Sequence, residues 1–347
     1  MQTGLAKGHR SNPVFGMRIE QLYGVPVLFS GLAALILSKK EVGMIDRHYL
    51  ETIRQILRLY QNTPRSVVLF LAGSLPGIAL LHLRQLSLFS MICRLPNNVL
   101  HKYALNWFSS ENPYKYSWFQ QIVDISVLYK LPSPQTLLSS PLKKDEFKLK
   151  VKKLVVSYWE ETLRREAGEM KSLTNFMPAY MSIQTPHPLW KTAGNSSYKI
   201  TMATIQAKML SGRYRTGALT RYWKSSSQEG FCTLSPACAY AIDDLNHILV
   251  DCPALTYARE WLTDFTVKFS THLPFNVQNV LLRKSDISSP SFVTFMLDCS
   301  SDPEVILLHQ DMGFSVLEAL FSVTRTWAYI LHRERLKLLG RWRPGHN

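Results

Sequence analysis

Apolar positions recur every three or four residues through most of the chain, a spacing that puts them on one face of an α-helix. Ser38 and Glu41 have capping-box spacing ahead of Val42, Ile45, Tyr49, Ile53, Ile56 and Tyr60, which predicts one helix over that stretch. Asn62-Thr63-Pro64 ends it and starts another, with Thr63 as the expected N-cap and Pro64 at the first helical position. Pro76 opens a third helix carrying Leu80, Leu83, Leu86, Phe89 and Met91, and Asn97 and Asn98 open a short one through Trp107. Lys130 to Pro141 holds three prolines and several serines and reads as a connector. A charged helix follows from Leu142 to Ala167, stopped by Gly168. Phe147, Val151, Leu154, Val155, Tyr158 and Leu163 form its apolar stripe, and Lys144, Lys148 and Lys152 line another face. Phe176 to Ser197 is irregular. Further helices are expected at Lys199 to Leu210, from near Arg213, at Ala254 to Phe269, near Phe292, and from about Gly313 to Leu339. Strand alternation is scarce, so the expected class is mainly α.

Two apolar runs test a membrane span. Val25 to Leu37 is thirteen residues, short of the ~20 a spanning helix needs. Ser66 to Leu81 contains Gly73, Pro76 and Gly77 and runs straight into His82 and Arg84, so a buried helix pair kinked at Pro76 is expected. No membrane partner is expected. The N-terminal charges precede no apolar run, which argues against a secretory signal and for the nucleus or cytoplasm.

Composition narrows the partner. The 347 residues are 46% hydrophobic, too many for a disordered tail, and Gly and Pro are not enriched. Forty Lys and Arg against 25 Asp and Glu leave a net charge of +15. That balance points to a polyanion, nucleic acid before an anionic membrane surface. The densest basic stretch is Lys199 to Lys224, with Lys199, Lys208, Arg213, Arg215, Arg221 and Lys224, no acidic residue, and Tyr214, Tyr222 and Trp223 interleaved. Cations neutralise phosphates and flat rings stack on unpaired bases; the plainer reading is a basic helix surface whose aromatics belong to the core. Further basic residues close the last helix: Arg333, Arg335, Lys337, Arg341 and Arg343.

Directly after the basic stretch come Cys232, Cys238, His247 and Cys252, spaced C-x5-C-x8-H-x4-C. Three thiolates and an imidazole make a closed tetrahedral set for structural zinc, with no position left for catalysis. A short helix from Asp244 to Val250 would present His247, with Cys252 at its exit. The five-residue gap in the first pair exceeds the usual two to four, and Pro236 could fold that loop back; the alternative is three buried cysteines without metal. The fold expectation is therefore helical bundles with a small zinc-knuckle-like insertion. Its parts would be a helical region at 1–130, a linker with the charged helix at 131–198, the basic helix and zinc segment at 199–255, and a C-terminal helical region at 256–347.

Enzyme signatures are absent: there is no Walker loop, G-x-G-x-x-G, H-E-x-x-H or G-x-S-x-G. Asp243-Asp244 resembles a polymerase aspartate pair, but it stands between two zinc-ligand candidates and opens a helix, where Asp is a natural N-cap. No activity is expected from this chain.

Several stretches together resemble one family. They are Tyr23-Gly24-Val25-Pro26-Val27-Leu28, Thr63-Pro64-Arg65, Leu69 to Gly77, His82-Leu83-Arg84-Gln85-Leu86, and Gln206 to Arg215 with the Cys232 to Cys252 cluster and its Asp244-x-x-His247. They look like the region that follows the polymerase core in non-LTR (LINE-type) retrotransposon reverse transcriptases, over roughly Leu22 to Cys252. The resemblance implies a non-catalytic part that binds RNA template and target DNA beside the polymerase. It also implies Cys232, Cys238, His247 and Cys252 as zinc ligands and Arg213, Tyr214 and Arg215 on the nucleic-acid side. Polymerase and endonuclease motifs are missing, so the chain reads as a truncated copy whose partner would be the missing polymerase core. A helical protein-interaction scaffold without nucleic-acid binding is the competing reading.

Overall fold

The computed structural model describes residues 11–110, 117–219, 230–238 and 240–340, and among them the architecture is mainly α with one isolated antiparallel bridge, Phe231 to Ile242. The first helix, Pro13–Ile19 (α1), is capped by Asn12 and passes through a π-turn into Val25–Leu28. Lys39–Leu57 (α2) has the full capping box expected: Ser38 Oγ accepts from Glu41 N, and Glu41 accepts from Ser38 N at 2.7 Å.

The next junction differs by one residue from expectation. Pro64, extended at ψ 140°, is the N-cap of Arg65–Ala72 (α3), and Thr63 lies buried without capping it. Thr63 instead offers its backbone oxygen to Arg54 at 2.8 and 3.2 Å, which holds the two helices together. Gly77–Cys93 (α4) follows at a 63° bend after α3. Every residue of α3 but its first is buried, so this pair is a core element, and no single described helix is long and apolar enough to cross a membrane.

Leu100–Ser110 (α5) and Trp118–Leu128 (α6) complete the first half. The expected connector contains a helix, Pro134–Ser139 (α7), capped by Ser133 with Pro134 at its first position. Leu137 and Leu138 are buried against α4 and α6. The prolines and serines there are start signals for a short packed helix, not the marks of a loose linker. Lys144–Gly168 (α8) packs its Phe147, Val151, Val155 and Leu163 stripe on α3 and α4.

The second half is built around Ser197–Leu210 (α9) and the long C-terminal helix. Thr256–Ser270 (α10), Phe275–Lys284 (α11), Phe292–Leu297 (α12) and Pro303–Met312 (α13) lead to Phe314–Leu338 (α14). Helices α11 and α13 were not anticipated. Asp302-Pro303-Glu304 is a full start signal for α13, with Asp302 accepting from Glu304 N at 2.9 Å. Helix α14 touches α9, α10, α12 and α13, and Trp327 shows why it is central. Its ring meets Phe292 edge-on at 5.3 Å, and its indole N–H donates to Thr266 Oγ1 at 2.9 Å. Burying such a side chain contributes about 1.5–3 kcal/mol. Gln206 ties α9 to the same layer, donating to Met296 O and Thr324 Oγ1 at 2.8 and 3.1 Å.

Candidate metal centre and the basic stretch

The segment after Gly230 folds back on itself. Cys232 N donates to Ala241 O at 2.8 Å and Asp243 N to Gly230 O at 2.9 Å, which pins the ends of a narrow loop. Inside it, a single 3-10 turn, Pro236–Cys238, brings Cys238 round, with Cys238 N donating to Ser235 O at 3.0 Å. Tyr240 closes the turn in the left-handed region at φ 66°. The five-residue gap is thus taken up by a proline-led turn. On the other side, Asp244 Oδ1 accepts from His247 N at 2.8 Å and starts a turn that continues as a π-helix, His247–Asp251. An α-helix was expected there; the wider turn makes Cys252 N donate to His247 O at 2.7 Å, five residues back.

Together these turns gather Cys232, Cys238, His247 and Cys252. One ligand atom from each lies within 4.8 Å of all the others, and all four residues are buried. The Cys232 and Cys238 sulfurs stand 3.9 and 3.7 Å from that of Cys252, far longer than the ~2.05 Å of a disulfide. His247 Nε2 is buried with no hydrogen-bond partner. Burial pushes the Cys252 thiol up to about 12, with the neighbouring Cys232 and Cys238 adding to it; burial also raises Cys232. Backbone hydrogen bonds from Leu234 to Cys232 and from Ala254 to Cys252 work in the opposite direction and favour thiolates. Cys93 and Cys299 are buried elsewhere.

Two arginines that sequence reading did not connect to this segment anchor it. Arg259, on α10, donates to Cys252 O at 2.6 Å and to Thr256 Oγ1 at 3.1 Å, while its Nη1 is buried and unpartnered. Burial lowers its pKa, and Cys252, Asp251 and Cys238 act to raise it. Arg335, on α14, was expected among the basic residues that close the last helix. It is buried: it bonds Asp243 Oδ2 at 2.6 Å and Arg215 O at 3.0 Å and lies over the Tyr214 ring at 5.7 Å. Burial works against its charge, but Tyr214 and Asp243 outweigh it and raise its pKa. Asp243 also accepts from Gly217 N at 2.6 Å. The Asp243-Asp244 pair is therefore divided between an internal ion pair and a turn cap. Arg333 and Lys337 both reach Glu334.

The basic stretch is divided too. Lys199 and Arg215 are exposed, and Arg213 is half-buried. Lys208 Nζ and Arg215 Cζ both lie over the Tyr60 ring, 4.9 and 5.5 Å from its centre. Burial lowers the Lys208 pKa, and Arg215 and Arg58 lower it further. Tyr214 is 5% exposed, and its hydroxyl meets His332 Nδ1 at 2.7 Å. Its ring serves the core and is closed to stacking, contrary to expectation. Arg221, Tyr222, Trp223 and Lys224 lie outside the described residues, as do Arg341 and Arg343. Spacing in the sequence pointed to the four clustered ligands; nothing in it joins Asp243 to Arg335, 92 residues away. Comparison with known protein families, characterised proteins and solved structures finds no match for this chain.

Proposed function

We propose that the chain is a non-catalytic nucleic-acid-binding protein built on a helical frame and a structural zinc site at Cys232, Cys238, His247 and Cys252. The observation that carries the zinc reading is the convergence of one ligand atom from each of four buried residues, together with a His247 Nε2 that is buried and has no hydrogen-bond partner. A tetrahedral ion with ~2.3 Å bonds to sulfur sets its sulfurs about 3.8 Å apart, and the 3.7 and 3.9 Å separations from the Cys252 sulfur agree with that spacing. Three thiolates around Zn2+ leave one net negative charge. Arg259, buried beside Cys252, supplies a compensating cation. A closed set of four protein ligands leaves the ion no water to activate, so its role is structural.

Nucleic acid is the partner that best matches the net charge of +15 and the exposed Lys199 and Arg215 of the basic stretch. RNA and single-stranded DNA are the first candidates, in keeping with the resemblance to the region after the polymerase core of non-LTR reverse transcriptases. Metal analysis of the purified chain should return one zinc per molecule. Single-stranded RNA binding across a salt series should weaken as salt rises. Replacing Arg213 and Arg215 with Ala should lower affinity and flatten the log–log salt slope by about 1.4, the value for two lost phosphate contacts on a single strand. A metal-free chain whose RNA binding ignores both salt and these substitutions would overturn the proposal.

A further inference from the structure

A second surface, sharing no residue with the cysteine segment or the basic stretch, carries its own chemistry. Helices α4 and α8 and the turn after Val25–Leu28 enclose an open groove of about 840 Å³. Its floor and walls are apolar, with Phe29, Leu83, Leu88, Met91, Phe147 and Val151 among the lining residues. Its rim is cationic: Arg84, Arg94, Lys144, Lys148 and Lys152 all line it, and no carboxylate among the described residues does. Arg84 lies over the Phe29 ring at 5.8 Å, and Arg94 donates to Ser90 Oγ. Among the described residues none of the five cations makes an ion pair. The Lys144, Lys148 and Lys152 face of α8 thus overhangs an apolar trough.

We propose that this groove docks an acidic amphipathic helix of a partner protein. Charge complementarity identifies the occupant: five cations without one acid call for an anionic partner, and an apolar floor calls for one with an apolar face. Leu83 to Met91 on one wall and Lys144 to Lys152 on the other each span about 12 Å, roughly two helical turns. That length admits side chains at i, i+3 or i+4, and i+7 of an incoming helix, with its glutamates or aspartates meeting the rim. A nucleic-acid strand fits less well. Among the described residues the aromatic rings lining the groove are Phe29 and Phe147, 1% and 5% exposed, so neither ring is open to a base, and the aliphatic floor would lie under a charged backbone.

The test uses the full chain and a fluorescein-labelled 18-residue peptide with leucine at every third or fourth position and glutamate at most others. A scrambled peptide of the same composition, an oligo-uridine strand, and phosphatidylserine–phosphatidylcholine vesicles are run beside it at physiological salt. The patterned peptide should bind at least tenfold tighter than the scramble. Met91→Glu, at a residue 51% exposed and so safe for folding, should weaken it at least tenfold. The triple reversal Lys144→Glu, Lys148→Glu and Lys152→Glu should do the same, while Lys150→Glu with Lys153→Glu, on exposed positions of α8 outside the groove, should change it less than twofold. Equal binding of the scramble, or indifference to Met91→Glu, would reduce the surface to unspecific charge and overturn the proposal. Binding of oligo-uridine or of vesicles that the triple reversal abolishes, with no peptide binding, would assign the groove to nucleic acid or lipid and overturn it equally.

Discussion

Two buried histidines divide the C-terminal half of the molecule into regions with different sources of order. His187, at the start of a short helix, has both ring nitrogens engaged: Nδ1 accepts from Leu189 N at 3.2 Å, and Nε2 faces Asp298 Oδ2 at 3.4 Å. Because Nδ1 accepts, the neutral ring carries its proton on Nε2, toward the carboxylate. Asp298 takes further hydrogen bonds from Ser300 and Ser301. Burial pushes that carboxyl up, yet His187 and the two serines outweigh it and hold it below its ordinary value. His247 is also buried, but its Nε2 has no hydrogen-bond partner, and one of its ring nitrogens lies within 4.8 Å of three cysteine sulfurs. Burial alone does not separate a structural histidine from a ligand; the state of its second nitrogen does. A satisfied pair completes a core, while an unpartnered nitrogen on a histidine clustered with thiols is compatible with a metal ligand.

The comparison breaks most readily at the metal. Apparent binding energies of structural zinc run about 10–16 kcal/mol, so a strong chelator, or Cys252→Ala, should cause the largest change in the molecule. It should remove the metal and unfold the 230–252 segment, leaving the helical core in place, as read by metal content and hydrogen exchange. Within that test, His247→Ala should abolish tight zinc binding yet cost little in the chelated chain, because Nε2 has no protein partner to lose. An equal loss of stability with and without metal would make His247 a core residue like His187.

His187→Ala should behave in the opposite way, destabilising the fold by about 3–5 kcal/mol through the stranded Asp298 carboxylate while leaving zinc content unchanged. Thermal unfolding with metal analysis on the same sample separates the two cases. Arg335→Met should cost about 3 kcal/mol by leaving Asp243 buried without its cation. Combined with Asp243→Asn it should cost less than the sum of the two single changes. Additive costs would mean that the contact does not couple α14 to the cysteine segment.

A further expected effect, comparable in size, is on pH dependence and involves neither region's central histidine. Burial depresses His82 and His332 from 6.5 to about 4, Lys208 and Arg335 adding to the effect at His332. Below pH 6.5 the unfolded chain takes up protons that these folded sites refuse. Their contribution is complete above 6.5 and is lost as pH falls toward 4, on the order of 3 kcal/mol each. His82→Gln, keeping a hydrogen-bonding group near Tyr129 Oη, should flatten that acid limb in a pH series of urea unfolding.

Much of the frame was legible because helices are specified locally. The Ser38 and Glu41 box and most of the α8 stripe depend on residues within a few positions of one another and are found as expected; Val156 and Trp159 are buried beside that stripe where Leu154 and Tyr158 are half-buried, and the helix takes in Gly168 before it ends. The errors are equally local: Thr63 looks like a cap but yields that role to Pro64, and the prolines of 130–141 were weighed as breakers where Pro134 starts α7. Helix α11, with Val277, Val280 and Leu281 on one face, carried a readable pattern that went unread.

The site divides along the same line. Ligand type and order at Cys232, Cys238, His247 and Cys252 stand in the sequence, since a metal set is a matter of donor chemistry. Whether a five-residue gap can close was decided by the turn at Pro236–Cys238 and the backbone pairing of Cys232 with Ala241. That Tyr214 and Arg335 face inward, that Arg259 stands beside Cys252, and that the lysines of α8 overhang an apolar groove were also settled only in three dimensions. A side chain's charge and shape belong to its residue, but its solvent exposure and its partner depend on which distant helix packs against it. In this chain that helix is α14 for the cysteine segment and α4 for the groove.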